Sequence, residues 1–167
     1  MTTDAPSAQR HPDASSPEAR LRDLGLDLPQ AAPPVAAYVP VVVTGNLAHV
    51  SGQLPFVSGE LVTGRLGEGV TLEQGMEAAR ACGLMILAQL RAALGSLDSV
   101  ERIVKLGAFV NSAADFTDQP KVANGASELM VEVFGEAGRH ARSAVGVPVL
   151  PLGAAVEIDA VVALKAS

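Results

Sequence analysis

The 167-residue sequence predicts an α+β fold, one mixed sheet with two helices on one face and a short extra helix at the N-terminus. Three observations carry this expectation. Apolar residues from Met76 to Leu94 recur at three- and four-residue steps; the run opens on Thr71-Leu72-Glu73-Gln74, a capping box, and stops at Gly95. Val-rich runs flank Thr44-Gly45-Asn46 and read as a hairpin. Two further Val-rich runs close the chain, parted by Pro148, Pro151 and Gly153. The resulting order is β-β-α-β-α-β-β.

Taken in order, residues 1–15 are polar and Pro-broken, a composition that reads as a flexible tail. Ser16-Pro17-Glu18 starts a helix with an N-cap, a Pro at the first helical position and an acid in the first turn; Leu21 and Leu24 give it a small apolar face. This helix and a Pro-rich connector occupy 16–34 and read as an appendage to the main domain, 35–165. The first strand is expected over 35–43 and the second over 47–52, ended by Pro55. Residues 56–70 hold four glycines and read as a mobile loop. After the long helix, a third strand spans 100–110. Asp115 or Asp118 caps a second main helix, 121–134, and the last two strands follow as a hairpin. Several strand stretches, such as Val41 to Val43 and Ala160-Val161-Val162, are apolar on both faces. They require a second layer, which another copy of the chain would supply.

Composition excludes several functions. The net charge is −6, with no basic cluster, and aromatics are 3% of residues with no Trp, which argues against a nucleic-acid surface. One cysteine, Cys82, allows no internal disulfide, and three scattered histidines with it give no metal-ligand spacing. No apolar run is long enough to span a bilayer, so the expected compartment is the cytoplasm. Neither a cofactor nor a metal is expected.

Two charges stand out in the closing strands: Arg142 in the first and Glu157 in the second, each among apolar neighbours. Buried charges cost desolvation energy unless paired or used. Arg142 could form an ion pair, with Glu157 or Glu132, or grip a carboxylate through two parallel N–H bonds. Glu157 could be its partner or could handle water and protons. Tyr38, the one tyrosine, could wall a cleft or be a half-buried strand aromatic. Gly52 would allow a ligand close to the backbone, and His140 could add a donor at the rim.

The sequence resembles the RidA family (reactive intermediate deaminase, also called YjgF or L-PSP endoribonuclease). The resemblance rests on ordered motifs: Tyr38 at the opening of the first strand, Val50-Ser51-Gly52-Gln53-Leu54-Pro55, Val104-Lys105 with Phe109-Val110 and Asp115-Phe116, Ala141-Arg142-Ser143, and Val156-Glu157-Ile158. It implies a chorismate-mutase-like ββαβαββ fold and a homotrimer with three clefts between subunits. It also implies hydrolysis of enamines and imines of the 2-aminoacrylate type to a 2-keto acid and ammonia. In that resemblance Arg142 holds the substrate carboxylate, Glu157 manages water and proton transfer, and Tyr38 and Gly52 line the cleft. Ala144 stands where deaminases of the group often carry Cys, and Asn124 lacks the spacing of the family's cleft asparagine. A non-catalytic binder of small carboxylates is the alternative. Endoribonuclease activity is disfavoured by acidity, few aromatics and the lack of a His pair.

Overall fold

The computed structural model describes residues 15–33 and 37–166. The tail expected over 1–15 therefore lies almost wholly outside the described residues. So do Pro34, Val35 and Ala36. Twelve elements follow: α1 (Pro17–Asp23), β1 (Val41–Thr44), β2 (Leu47–Gln53), β3 (Phe56–Val57), β4 (Glu60–Leu61), β5 (Arg65–Leu66), β6 (Gly69–Val70), α2 (Leu72–Leu94), β7 (Val100–Asn111), α3 (Gln119–Phe134), β8 (Ala141–Val147) and β9 (Val156–Leu164). The main sheet runs β1-β2-β9-β7-β8, with every pair antiparallel except β7–β8, the pair joined through α3.

The local signals at α2 hold. Thr71 Oγ1 accepts from the Gln74 N–H at 3.2 Å, Gln74 Oε1 accepts from the Thr71 N–H at 2.9 Å, and Gly95 ends the helix at φ 81°. Asp118 sits at the N-cap of α3, yet its side chain makes no capping bond. Residues 56–70 form two small ladders, β3–β4 and β5–β6, instead of an unstructured loop. Ser58 and Gly59, both at positive φ (51° and 83°), form the tight turn between β3 and β4.

The N-terminal helix is bound into the fold. Leu21 is 1% exposed in the main core, Glu18 pairs with Arg91 at 2.6 Å, and Glu18 Oε1 accepts from the Leu97 N–H. An apolar side chain placed three residues after an acid thus ties α1 to the end of α2 by both packing and charge.

Helices α2 and α3 cover one face of the sheet and cross closely through small residues. A Cβ at Gly125 would collide with the Met76 carbonyl oxygen, and one at Gly83 would come within 2.9 Å of Leu129. Because the obstacle at Gly125 is backbone, Gly125→Ala must push the helices apart. We expect a loss of about 1–3 kcal/mol, of the order seen for overpacked cores. Thermal denaturation should show it, at roughly 2–4 °C per kcal/mol; an unchanged melting temperature would contradict the close crossing.

The sheet's other face is not covered by any described element. In β9, Val156, Ile158, Ala160 and Val162 are buried toward the helices, while Glu157, Asp159 and Val161 point the other way and are only half-buried. Across the neighbouring strands this open face carries Phe109 and Val145, both substantially exposed.

Candidate functional site

The closing strands are not a hairpin. β7 lies between β8 and β9, because β8 returns from α3 to pair with β7 in parallel, while β9 takes the antiparallel place on its other edge. Arg142 and Glu157 therefore sit two strands apart, about 10 Å at the usual inter-strand spacing. Register separates them further. Arg142 lies opposite Leu106, a helix-side residue, whereas Glu157 lies opposite Phe109 on the open face. Within one chain the two candidate residues occupy opposite faces of the sheet, so their pairing is ruled out. The other proposed partner, Glu132, is held by Arg80 at 2.7 Å.

Arg142 is anchored from α3. Its Nη1 donates to Asn124 Oδ1 at 2.9 Å and to Ser127 Oγ at 3.0 Å. Both bonds use the same nitrogen, so the Nε–Nη2 edge meets no acceptor among the described residues, and no carboxylate lies within ion-pair distance. That edge is the one that binds a carboxylate through two parallel bonds.

Behind it stands His140. Its Nδ1 is 2.6 Å from the Gly138 carbonyl, which can only accept, so Nδ1 carries the proton and Nε2 accepts from Ser127 Oγ at 2.9 Å. The hydroxyl proton of Ser127 is thereby committed to His140, which turns the Ser127 lone pair toward Arg142. Burial first, and then the nearby Arg142 charge, hold His140 below its ordinary pKa, which keeps the ring in this neutral form.

Asn124, whose spacing departs from that of the family's cleft asparagine, is thus in direct contact with Arg142, and Ser127 joins it with no sequence motif of its own to mark it. The signal available was their i, i+3 placement, which puts both on one helix face. The reach of that face to the second residue of a later strand is a matter of tertiary packing.

Glu157 lies flat against Gly52 of β2; a Cβ at Gly52 would overlap Glu157 Oε1. The β2–β9 register shifts between Val50 and Gln53, and this irregularity brings the glycine under the carboxylate. Asp159 makes the same kind of approach on the other side, its Oδ1 2.6 Å from where a Gly107 Cβ would stand. Glu157 has no basic partner among the described residues. Burial chiefly, and then the Asp159 charge, raise its pKa above the ordinary carboxylate value. A carboxyl whose charged form is disfavoured in this way holds its proton to higher pH than an ordinary glutamate.

Tyr38 precedes β1 instead of opening it. It stands 47% exposed, and the strand begins only after Pro40, which has no N–H to pair. Tyr38 and Gly52 line one cavity of about 250 Å³. The structure thus gathers Tyr38, Gly52 and Glu157 at the end of β2, and gathers Arg142, Asn124 and Ser127 elsewhere, on the far edge of the sheet.

Comparison with known proteins gives consistent results. The family described as “YjgF/chorismate mutase-like, putative endoribonuclease” matches residues 18–163. Protein TCP17 of Trypanosoma cruzi is 56% identical over 149 residues, covering 88% of this chain and 93% of that protein. A crystal structure from Agrobacterium tumefaciens, described as a protein of unknown function, superposes with a TM-score of 0.83 at 49% identity, covering 89% of this chain and 92% of that one. A Shewanella oneidensis crystal structure, described as an endoribonuclease by assignment only, gives a TM-score of 0.86 at 36% identity, covering 90% of this chain and all of the other.

Proposed function

This chain belongs to the YjgF/chorismate mutase-like family and has its fold, and on that premise we propose that it hydrolyses 2-imino acids, and the enamines that tautomerise to them, to 2-keto acids and ammonia. The observation that carries this reading is the free Nε–Nη2 edge of Arg142, a preorganised carboxylate grip without a protein carboxylate in it. Glu157, seated on Gly52 without a cation, supplies the proton-handling group.

Because these groups face opposite sides of the sheet, one small substrate cannot reach both in a single chain. The site is then composite. Arg142, Asn124 and Ser127 of one subunit meet Tyr38, Gly52 and Glu157 of the next, with the open faces buried in a homotrimer. The uncovered Phe109 and Val145 favour this assembly.

In the reaction, Arg142 holds the carboxylate and fixes C2 of the protonated imine over Glu157. The Glu157 carboxylate takes a proton from water as its oxygen bonds to C2, giving a carbinolamine. The same carboxyl returns that proton to nitrogen. The C–N bond breaks and ammonia departs. The hydroxyl oxygen becomes the keto oxygen, and its proton passes out to the released amine or solvent. For an enamine such as 2-aminoacrylate, protonation at the terminal carbon comes first and yields the imine.

The test is to generate a 2-imino acid enzymatically and follow its lifetime by semicarbazide trapping, with and without the protein. Faster disappearance into keto acid and ammonia is the expected result. No gain over buffer, with folded protein present, would reject the reading and leave the non-catalytic carboxylate binder in its place.

A further inference from the structure

Behind Arg142 runs a chain of hydrogen bonds that the proposed reaction does not use. It starts at Gly138, which is buried; a Cβ there would collide with the Met130 carbonyl oxygen, so this backbone is packed directly on α3. The Gly138 carbonyl accepts from His140 Nδ1 at 2.6 Å, His140 Nε2 accepts from Ser127 Oγ at 2.9 Å, and Ser127 Oγ accepts from Arg142 Nη1 at 3.0 Å. The chain has one direction. A hydroxyl carries a single proton, so the acceptor nitrogen of His140 decides where the lone pairs of Ser127 point. His140 was expected to add a donor at the cleft rim; toward Ser127 it is the acceptor.

Protonation reverses this arrangement. A charged imidazole donates from both nitrogens. Ser127 Oγ would then accept from His140 and from Arg142 together, with two cations on one oxygen. The other charges near His140 are engaged elsewhere or lie outward. Arg102 of β7 donates to the Arg139 carbonyl at 3.1 Å, Arg139 pairs with Glu136 at 3.0 Å, Glu132 of α3 is held by Arg80 at 2.7 Å, and Glu128, next to Ser127, is exposed. Burial lowers the pKa of His140 most, the Gly138 carbonyl raises it, and Arg142 is the charge that lowers it further. An anion on the free edge of Arg142 offsets that charge and so favours the charged imidazole. By linkage, protonation strengthens the anion's hold by the same factor.

We propose that His140 is a positioning residue for the carboxylate grip, acting on Arg142 through Ser127, and that it takes up a proton when a carboxylate binds. This rests on the reading of Arg142 as a carboxylate grip, and not on hydrolysis. In the neutral form His140 fixes the rotamer of the Ser127 hydroxyl and so the plane of the guanidinium. In weakly acidic solution, below the ordinary histidine pKa of about 6.5, it adds positive charge behind the grip. Carboxylates therefore bind more tightly as pH falls through this range, although the carboxylate itself stays ionised.

The experiment measures pyruvate binding by calorimetry from about pH 8 to about pH 5, in Glu157→Gln protein so that the other carboxyl with a raised pKa does not titrate. We expect binding to tighten about five-fold or more across this range, the low end of ordinary site–site coupling, with proton uptake seen as a dependence of the heat on buffer ionisation. Adding His140→Ala should weaken binding about two- to ten-fold at the alkaline end, the worth of one hydrogen bond, and flatten the pH profile. His140→Gln keeps an acceptor oxygen but cannot take up a proton. It should recover most of that loss and still show a flat profile. His140→Ala should cost nothing further once Ser127→Ala is present, because it acts through that hydroxyl. A pH dependence that survives in His140→Gln, losses that add in the double variant, or no pyruvate bound at any pH each overturns the proposal. If pyruvate binds with the expected profile while no imine is turned over, the hydrolytic reading fails and the coupling stands.

Discussion

Replacing Glu157 with glutamine is expected to lower kcat by about 10²–10⁴-fold, the usual contribution of a positioned general acid–base, with the substrate's KM little changed. The substitution keeps the shape that lies over Gly52 and removes the titrating group. It also has an opposite effect on stability. The folded-state pKa of Glu157 is raised by burial and then by Asp159, so the charged form is disfavoured in the fold. Below the unfolded-state pKa, about 4.3 for Glu, the wild-type residue is protonated in both states and incurs no such cost. As pH rises through the folded pKa, the fold must either ionise a desolvated group or hold a proton that the unfolded chain releases. Glu157→Gln escapes this, so its melting temperature should exceed that of wild type at neutral pH and match it in acid.

The wild-type profile of kcat/KM should lose its acid limb at a pH above the ordinary carboxylate range. In Asp159→Asn that limb should move downward, because one like charge is gone. Full activity in Glu157→Gln would remove the residue from the mechanism.

Replacing Arg142 with alanine is expected to raise KM by about 10²–10³-fold, in line with the 2–5 kcal/mol cost of losing one partner of a desolvated charge pair. Arg142→Lys should recover only part of this, because a point charge cannot present the two parallel donors of the Nε–Nη2 edge. A structural arginine would behave differently: its loss would lower the melting temperature and leave KM alone. Arg142→Ala and Glu157→Gln also test the composite site together. Each variant alone is severely impaired, yet in re-assembled mixed trimers one intact half can face another. Activity should return to roughly a quarter of wild type, the statistical share of such interfaces. No recovery from demonstrably mixed trimers would place both groups in the same subunit's site and contradict the face assignment.

Much of this protein is legible from local chemistry. Thr71, Gln74 and Gly95 bound α2, Ser16-Pro17 starts α1, and alternation places Glu157 and Asp159 on one face of a strand, because caps, turns and a period of two act within a few residues. The ordered motifs name the family and single out Arg142, Glu157, Tyr38 and Gly52. Other features depend on partners distant in sequence. That β7 separates β8 from β9, and that Arg142 shares a face with Leu106 while Glu157 shares one with Phe109, follow from inter-strand register. A one-residue slip would reverse either face. That Asn124 and Ser127 hold Arg142, and that Leu21 belongs to the core, follow from how helices settle on the finished sheet. Which residues carry charge, and on which strands they lie, can be read from the local sequence. Which way each one faces follows from strand order and register, which are set by packing the whole core at once, and that packing puts the two members of an apparent buried ion pair on opposite faces of the sheet.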